Sequence, residues 1–219
     1  VVHQLEHINW LETANLSLGV DVWLKIDTGM HRLGVEPANA KEAHRRLSDL
    51  VGVNQVHCMT HLASANQVKT GCTSQQVKLF DEYVPKTSTF MRSIANSAGV
   101  LAHEPTHADI VRVGLMLYGA AQMDDKAGLD YQLKPVMTLM APVIALKTLQ
   151  SGDQVGYEGK WRAQKPTKIA ILHAGYGDGY PQRVQKGAHV LINQGQAPIL
   201  GMVSMDMMAI DITHIQGVK

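Results

Sequence analysis

A tyrosine between two glycines is the feature of this sequence with the clearest chemical potential. Residues 171–183 read ILHAGYGDGYPQR, an apolar run that breaks into three closely spaced glycines around Tyr176, Asp178 and Tyr180. Glycine permits positive φ angles and close backbone approach, so the pattern predicts a tight turn at the end of a strand. The phenol of Tyr176 is then either presented for acid–base chemistry or half-buried as an ordinary surface ring. The turn alone leaves both readings open.

Four further clusters of polar residues follow directly after short apolar runs. They read KIDTGMHRLG from residue 25, THLAS from residue 60, ANSAG from residue 95 and RVGL from residue 112. Functional groups in parallel βα folds lie at the carboxyl ends of the strands, so these clusters are candidates for a common site. A hydroxyl at Ser97 and backbone N–H groups near Gly114 and Leu115 would make a phosphate cradle. The alternative for Ser97 is a plain helix N-cap.

Three cations belong to these clusters. Arg32 and Arg112 lie in apolar or glycine-rich surroundings, so each needs a ligand or a partner. A structural ion pair with Asp27 or Asp109 is the competing explanation. Lys25 lies within a strand pattern, and if it faces a barrel interior it needs a negative partner or a modified amine, because an unpaired buried ammonium is costly. Facing outward, it needs neither.

The histidines do not predict a metal site. His57, Cys58 and His61 fall within one short run, and His103 and His107 are four apart, but no carboxylate-rich pattern accompanies them. Residues four apart on a strand are separated by roughly 13 Å, too far to share one ion. The sequence also has no GxSxG, HExxH, Walker A or dinucleotide-binding motif.

The elements that must position these groups change character along the chain. The first half alternates apolar strand patterns (20–27, 53–60, 88–94) with amphipathic helix patterns (37–50, and 73–83 with Thr73 or Ser74 as N-cap), which predicts parallel βα units. Residues 108–118 suggest a further strand leading into a loop and short helix. After residue 130 strand patterns follow one another at 136–148, 167–174, 189–193 and 199–212. A domain boundary is therefore predicted within the polar segment 121–131.

Composition excludes several classes of protein. The 219 residues are 45% hydrophobic, which predicts a globular fold. The formal net charge is only +1, so the chain has no strong positive electrostatic field for binding nucleic acid. Two cysteines are too few for a disulfide scaffold and favour a reducing, cytoplasmic location. We find neither a signal-peptide pattern nor an apolar run of membrane-spanning length, so no membrane association is expected.

Six motifs, in this order and spacing, resemble the bacterial alanine racemases: VWLKIDTGMHRLGV, MTHLASAN, SIANSAGVL, DIVRVGLMLYG, HAGYGDGYPQR and GMVSMDMMAID. The resemblance implies an α/β plus β protein, with a partial (β/α)8 TIM-type barrel that binds pyridoxal 5'-phosphate (PLP), followed by part of a mainly β domain. Residues 1–128 would be the C-terminal part of the barrel. Residues 129–219 would be the N-terminal part of the β domain that carries the catalytic tyrosine.

The resemblance also implies roles for the catalytic groups. Tyr176 is similar to the tyrosine that acts on one face of the PLP-bound substrate and is contributed to the partner subunit's site. His61 resembles the histidine that hydrogen-bonds this tyrosine, and Arg112 the arginine facing the pyridine nitrogen. Because an arginine keeps its proton, Arg112 would leave that nitrogen unprotonated and limit the ring as an electron sink.

Binding roles follow in the same way. Arg32 resembles the arginine that contacts the substrate carboxylate and the phenolic oxygen of PLP, and Lys25 the lysine that is often carbamylated to pair with it. Met205 matches the residue whose backbone N–H meets the substrate carboxylate. For cofactor binding, the resemblance implies that Asn96 lies beside PLP. It also implies that Ser97 and the backbone of Gly114 and Leu115 bind the phosphate.

The chain departs from the family pattern in four places. His31 stands where many members have glycine and Gly177 where many have alanine. No lysine lies in a context like KANAYGHG, the segment that carries the family's PLP lysine, and the tail after the SMDM motif with its second phosphate-binding tyrosine is also not found. We therefore expect these residues to be a fragment that lacks the PLP-lysine segment and the C-terminal end, and to be inactive alone.

The whole protein is expected to interconvert L-alanine and D-alanine by a two-base mechanism that supplies D-alanine for peptidoglycan. It would act as a homodimer whose subunits share active sites. A broad-specificity amino-acid racemase of the same fold, or a non-catalytic fragment, are the alternatives.

Overall fold

The computed structural model describes residues 1–14, 16, 18–84, 89–185 and 187–219. The chain divides into two compact units, residues 1–138 and residues 139–219. None of the helices in the described residues is long and apolar enough to cross a membrane.

Unit 1 has a three-stranded parallel sheet with the strand order β1-β2-β3. Its strands are β1 (Val20–Lys25), β2 (Val53–Met59) and β3 (Arg92–Ser93), and its helices are α1 (Leu5–Thr13), α2 (Ala40–Ser48), α3 (Cys72–Tyr83) and α4 (Ser97–Ala102). Short 3-10 turns cover Pro37–Asn39, Glu104–Thr106, Leu115–Tyr118 and Gly128–Tyr131. The order of strands and helices confirms the predicted parallel βα arrangement.

Alternation along β1 separates two chemical faces. Val22, Leu24 and Ile26 are buried in the core of unit 1, whereas Lys25 and Asp27 point to the other face and are half-buried. Successive strand residues face opposite sides, so one strand can anchor the core and present charged groups.

The helix α2 confirms its predicted apolar stripe. Ala40, Ala43 and Leu47 are buried at the three- and four-residue spacings that place them on one face. Arg46, on another face, donates to the Glu12 carboxylate at 2.6 Å and to the Asn9 side chain at 2.8 Å. These bonds tie α2 to α1, a helix that was not predicted.

Three boundaries in unit 1 differ from the predictions. The helix α3 begins at Cys72, so its N-cap is Gly71, which has a φ of 73°. The prediction of Thr73 or Ser74 as N-cap was therefore wrong. The inward face of α3 instead uses Thr73, which is buried. The predicted strand 88–94 is reduced to β3, with Ser88 outside the described residues. In the segment 108–118, pairing is limited to an isolated bridge between Ile110 and Ser93 before the turn at Leu115–Tyr118.

Unit 2 is built from antiparallel strands. They are β4 (Val143–Leu149), β5 (Gln154–Val155), β6 (Trp161–Arg162), β7 (Thr167–Leu172), β8 (His189–Ile192), β9 (Gly195–Leu200) and β10 (Met208–Asp211). Five form one sheet in the order β4-β7-β10-β9-β8, and β5 pairs with β6. Within the described part of unit 2 the remaining helical elements are 3-10 turns, which confirms the predicted succession of strands. The predicted run 136–148 was too long at its start, because β4 begins only at Val143.

Two turns divide the strand patterns of unit 2. Asn193 and Gln194 have φ angles of 47° and 65°, the pair of positive values that a two-residue hairpin requires, so they join β8 to β9. The pattern at 199–212 was predicted as one run but is split between β9 and β10, with Gly201 at a φ of 67° where β9 ends. The run fails as a single strand because β9 and β10 pair with each other.

Candidate functional site

The parallel sheet of unit 1 brings the predicted polar clusters to one edge. Lys25 lies opposite Met59 on the neighbouring strand, and Met59 lies opposite Ser93 on the next. Thr60 and His61 follow β2, and the backbone N–H of Arg112 donates to Ala95 O at 2.9 Å. Because all three strands run in the same direction, their carboxyl ends place these groups together.

Arg112 is held by neutral acceptors. Its Nη1 donates to Ser93 Oγ at 2.5 Å, and its Nη2 donates to Thr60 O and to His61 Nδ1, the latter at 3.3 Å. Asp109, proposed above as its ion-pair partner, instead accepts the backbone N–H of Arg92 at 2.8 Å. Among the ion pairs of the described residues none includes Arg112, so the structural ion pair is wrong as an explanation.

His61 lies beside this charge and is half-buried. Burial lowers the pKa of its imidazole, and the positive charges of Arg112, Lys25 and Arg32 lower that pKa further. Because Nδ1 accepts from Arg112, the proton of the neutral ring lies on Nε2, which is then a hydrogen-bond donor.

Lys25 shares the same positive environment. Burial lowers the pKa of its amine, as do the charges of Arg32 and Arg112, while Asp27 acts in the opposite direction. The net shift is downward, so burial and the two arginines together outweigh the one carboxylate. Lys25 thus faces the site rather than the opposite, core side of β1.

Arg32 is exposed on a loop that Asp27 organises. One carboxylate oxygen of Asp27 accepts the backbone N–H groups of Gly29, Met30 and His31, each at 3.0 Å. Burial by itself raises the Asp27 pKa, but these N–H groups and the nearby His31 ring lower it overall. Asp27 is therefore occupied by its own loop, and the described ion pairs include no Asp27–Arg32 contact.

The two ends of this loop, residues 27–35, are paired with each other. Val35 N–H donates to Lys25 O at 2.9 Å, and Asp27 N–H donates to Val35 O at 3.0 Å. His31 within it has a φ of 53°, a conformation that glycine adopts without strain.

A cavity of about 390 Å³ opens beside these groups in unit 1. Its walls include the predicted residues His61, Asn96, Ser97, Arg112, Gly114 and Leu115. The structure thus gathers the predicted cofactor-side residues around one space.

Asn96 and Ser97 have different tasks at its wall. Asn96 is the N-cap of α4, with its Oδ1 accepting Gly99 N–H at 3.0 Å. Ser97 Oγ accepts the N–H groups of Gly114 at 3.0 Å and Met116 at 3.3 Å. The plain N-cap alternative for Ser97 is therefore wrong, and its hydroxyl joins the 114–116 turn to α4.

Tyr176 lies in unit 2, on the predicted glycine turn. Its ring is 39% exposed, and its backbone N–H donates to Ser204 O at 3.0 Å. A Cβ at Gly175 would lie 2.2 Å from Met205 O, so only glycine allows the turn to approach the SMDM segment this closely. Gly177 N–H donates to the same oxygen at 2.8 Å. The structure thus brings Tyr176 and the exposed Met205 together.

The described residues contain no group of three or more histidine, cysteine or acidic side chains that could hold a metal ion. His57 is buried and its Nδ1 accepts Met91 N–H at 3.1 Å, which is a structural role.

Two buried polar residues next to the site were not predicted. Ser93 receives the Arg112 guanidinium, and Gln76 on α3 contacts the backbone after β2. The sequence does carry a signal for Gln76, since it shares the helical face of Thr73 and Phe80, where an apolar side chain is expected.

Comparison with known proteins gives a consistent result. Two family models match, "Alanine racemase, N-terminal domain" over residues 1–122 and "Alanine racemase, C-terminal domain" over residues 136–219. The curated alanine racemase of Hamiltonella defensa subsp. Acyrthosiphon pisum is 43% identical over 213 residues, covering 97% of this chain and 59% of that protein.

Solved structures agree. The biosynthetic alanine racemase of Pseudomonas aeruginosa superposes with a TM-score of 0.94 at 36% identity, over 100% of this chain and 61% of that one. The alanine racemase of Bacillus anthracis, whose structure holds bound L-Ala-P, gives a TM-score of 0.76 at 26% identity, over 96% of this chain and 56% of that one. The chain spans about three-fifths of the length of these relatives.

Proposed function

Because this chain belongs to the alanine racemase family, we propose that it contributes one acid–base group and the cofactor-holding residues to a PLP-dependent racemase that interconverts L- and D-alanine. The observation that carries the proposal is the half-buried Arg112 guanidinium, which lines a ligand-sized cavity and is bonded to neutral acceptors. A fixed positive charge in such a place favours an anionic ligand.

The residues present fit PLP. A cavity of about 390 Å³ is within the range of small-molecule sites. We infer that Ser97, with the backbone of Gly114 and Leu115, would hold the phosphate, that Arg112 would face the ring nitrogen and that Asn96 would lie beside the ring. The hydrogen bonds from Gly114 and Met116 to Ser97 Oγ support this, because they keep the hydroxyl and the 114–116 turn together.

When bound, PLP supplies an electron sink that stabilises negative charge at the substrate Cα. Arg112 would limit how far that sink draws electrons, since a guanidinium keeps its proton and does not protonate the ring nitrogen. Return of the proton to Cα is then favoured over side reactions. Arg32 and the backbone N–H of Met205 would hold the substrate carboxylate, and a carbamylated Lys25 would balance the positive charge around Arg32.

Tyr176 would hold or remove the Cα proton on one face of the substrate. In the proposed homodimer this tyrosine would come from the partner subunit, and His61 would orient its phenolic oxygen. The lowered pKa of His61 supports that role, because a neutral ring whose Nδ1 accepts from Arg112 has an N–H at Nε2 to donate.

Racemisation also needs a second base on the opposite face. No lysine of the 219 residues lies in the sequence context of the family's PLP lysine. We therefore propose that the activity belongs to a longer protein that contains these residues, whereas the 219 residues alone are inactive. A cytoplasmic location and a supply of D-alanine for peptidoglycan are parts of the same proposal and rest on family membership.

The test compares two purified proteins supplied with PLP. The first is the 219-residue chain, and the second is the product of the complete reading frame that encodes it, both assayed for D-alanine formed from L-alanine. We expect turnover from the second protein only, and turnover by the 219-residue chain would refute the one-base assignment. Serine and lysine as alternative substrates distinguish an alanine racemase from a broad-specificity enzyme.

A further inference from the structure

We propose that Gln76 is a positioning residue for the candidate site, holding the backbone that carries His61 so that the imidazole stays against Arg112. The inference rests on the proposed function. Gln76 is not among the residues that line the cavity beside Arg112, and it acts through the chain that follows β2.

Three hydrogen bonds from one buried carboxamide support this role. Gln76 is 5% exposed, and its Oε1 accepts Ala63 N–H at 2.8 Å. Its Nε2 donates to His61 O at 3.1 Å and to Thr28 Oγ1 at 3.2 Å. The amide thus binds the main chain on both sides of Leu62, fixing the short segment from which the His61 ring projects.

The third bond connects Gln76 to a chain of hydroxyls beneath the site. Thr60 Oγ1 donates to Ile26 O at 2.8 Å, so it accepts from Thr28 Oγ1, also at 2.8 Å, and Thr28 in turn accepts from Gln76. Each hydroxyl has one proton to donate, so these bonds run in a single direction from α3 to the end of β1. Because Thr60 O accepts from Arg112, the same layer supports both the histidine and the arginine.

A carboxamide at this position does more than fill space. Gln76 shares its helix face with Phe80, which is fully buried, so an apolar side chain would pack there without having to be hydrogen-bonded. An apolar residue would, however, leave the buried segment 61–63 without its anchors. We infer that the amide fixes the backbone at His61 rather than merely packing the interior of unit 1.

The experiment uses the holoenzyme made from the complete reading frame, with two substitutions of similar shape. Gln76→Met removes all three hydrogen bonds. Gln76→Glu keeps the acceptor for Ala63 N–H but places an oxygen against His61 O. The neighbouring residue Gln75 is exposed on the same helix, so Gln75→Met and Gln75→Glu are matched controls.

We expect both Gln76 variants to lower kcat about tenfold or more, with the KM for alanine changed less, while both Gln75 variants match the wild type. In the Gln76 variants the acid limb of the pH–rate profile should move to higher pH, because a loosened His61 is better solvated and farther from Arg112. A purely structural role would lower the melting temperature without moving that limb.

The outcomes separate this inference from the proposed function. An inactive wild-type holoenzyme would overturn the proposed function itself. An active wild type together with folded Gln76 variants of unchanged kcat and pH profile would overturn the positioning role alone. If neither Gln76 variant folds, Thr28→Val removes the hydroxyl partner of Gln76 and Thr28→Ser restores it. A rate loss in the first that the second recovers supports the inference, and equal rates in both refute it.

Discussion

Two glycines in the loop 27–35, which carries Arg32, allow a quantitative test of why this loop requires glycine. Gly34 has a φ of 140° and Gly29 a φ of 132°, both in a region that side chains rarely adopt. A Cβ at Gly34 would lie 2.5 Å from the backbone nitrogen of Asp27, which cannot move without breaking the loop closure. The three atoms nearest to a Cβ at Gly29 would belong to the Gln76 side chain, the first of them at 3.5 Å. A side chain at either position would therefore strain the backbone, but only at Gly34 would it also overlap with neighbouring backbone atoms.

The magnitudes follow from that difference. Backbone strain alone costs on the order of 1–3 kcal/mol, and this is our expectation for Gly29→Ala. Overlap with rigid neighbours adds about 1–3 kcal/mol, so Gly34→Ala should cost roughly 2–6 kcal/mol in free energy of unfolding. At roughly 3 °C per kcal/mol for a domain of this size, the Gly34 variant should melt about 3–9 °C below the Gly29 variant.

Thermal unfolding followed by circular dichroism, with urea unfolding at 25 °C as a second measurement, provides the assay. The wild type is the reference, and both variants are compared with it at equal protein concentration and pH. Equal destabilisation by the two substitutions would refute the reasoning, because it would mean that the backbone at Asp27 yields to a methyl group without cost.

Three further predictions concern single side chains. Tyr176→Phe should lower kcat of the proposed enzyme by about 10²–10⁴ with little change in KM, measured as D-alanine formed, and full activity in the variant would exclude the phenol as acid or base. Iodoacetamide at pH 8 should label the exposed Cys72 but not Cys58, whose pKa burial raises to about 12, with both labelled in urea, as mass spectrometry can show. Because the folded-state pKa of His61 lies below its ordinary 6.5, the unfolded chain takes up the proton first, so stability should fall as pH drops below about 6.5. Urea unfolding at pH 5 and pH 7 should show a smaller pH effect in His61→Asn, and an identical effect would contradict this.

Local patterns predicted the regular elements of the fold well where one face is buried. The stripe through Ala40, Ala43 and Leu47 identified α2, and the apolar run from Val20 identified β1. The start of α3 was misplaced because Gly71 supplies the helix start through its backbone conformation, whereas Thr73 and Ser74 only have the composition of an N-cap. Helix ends depend on φ and ψ at one residue, which composition does not fix.

The sequence predicted which residues belong to the candidate site more readily than it predicted the hydrogen bonds between them. The position of His61 after β2 followed from the βα pattern, whereas Arg112 follows only the isolated bridge at Ile110, and their mutual hydrogen bond depends on the register of three strands. Ser97 shows the same limit. Its partners are 17 and 19 residues away in sequence, so local reasoning left open an N-cap role that belongs to Asn96.

The positive cluster of Lys25, Arg32 and Arg112 has a consequence for how quickly ligands arrive. The whole chain carries a net charge of only +1, yet Arg32 and Arg112 both act electrostatically on Lys25, with Asp27 opposing them, and Arg112 lines a cavity. Positive charge at the wall of a cavity focuses the electric field and raises the encounter rate of anions in solution. The association rate of an anionic ligand should then decrease steeply with ionic strength, while that of a neutral one of similar size should not.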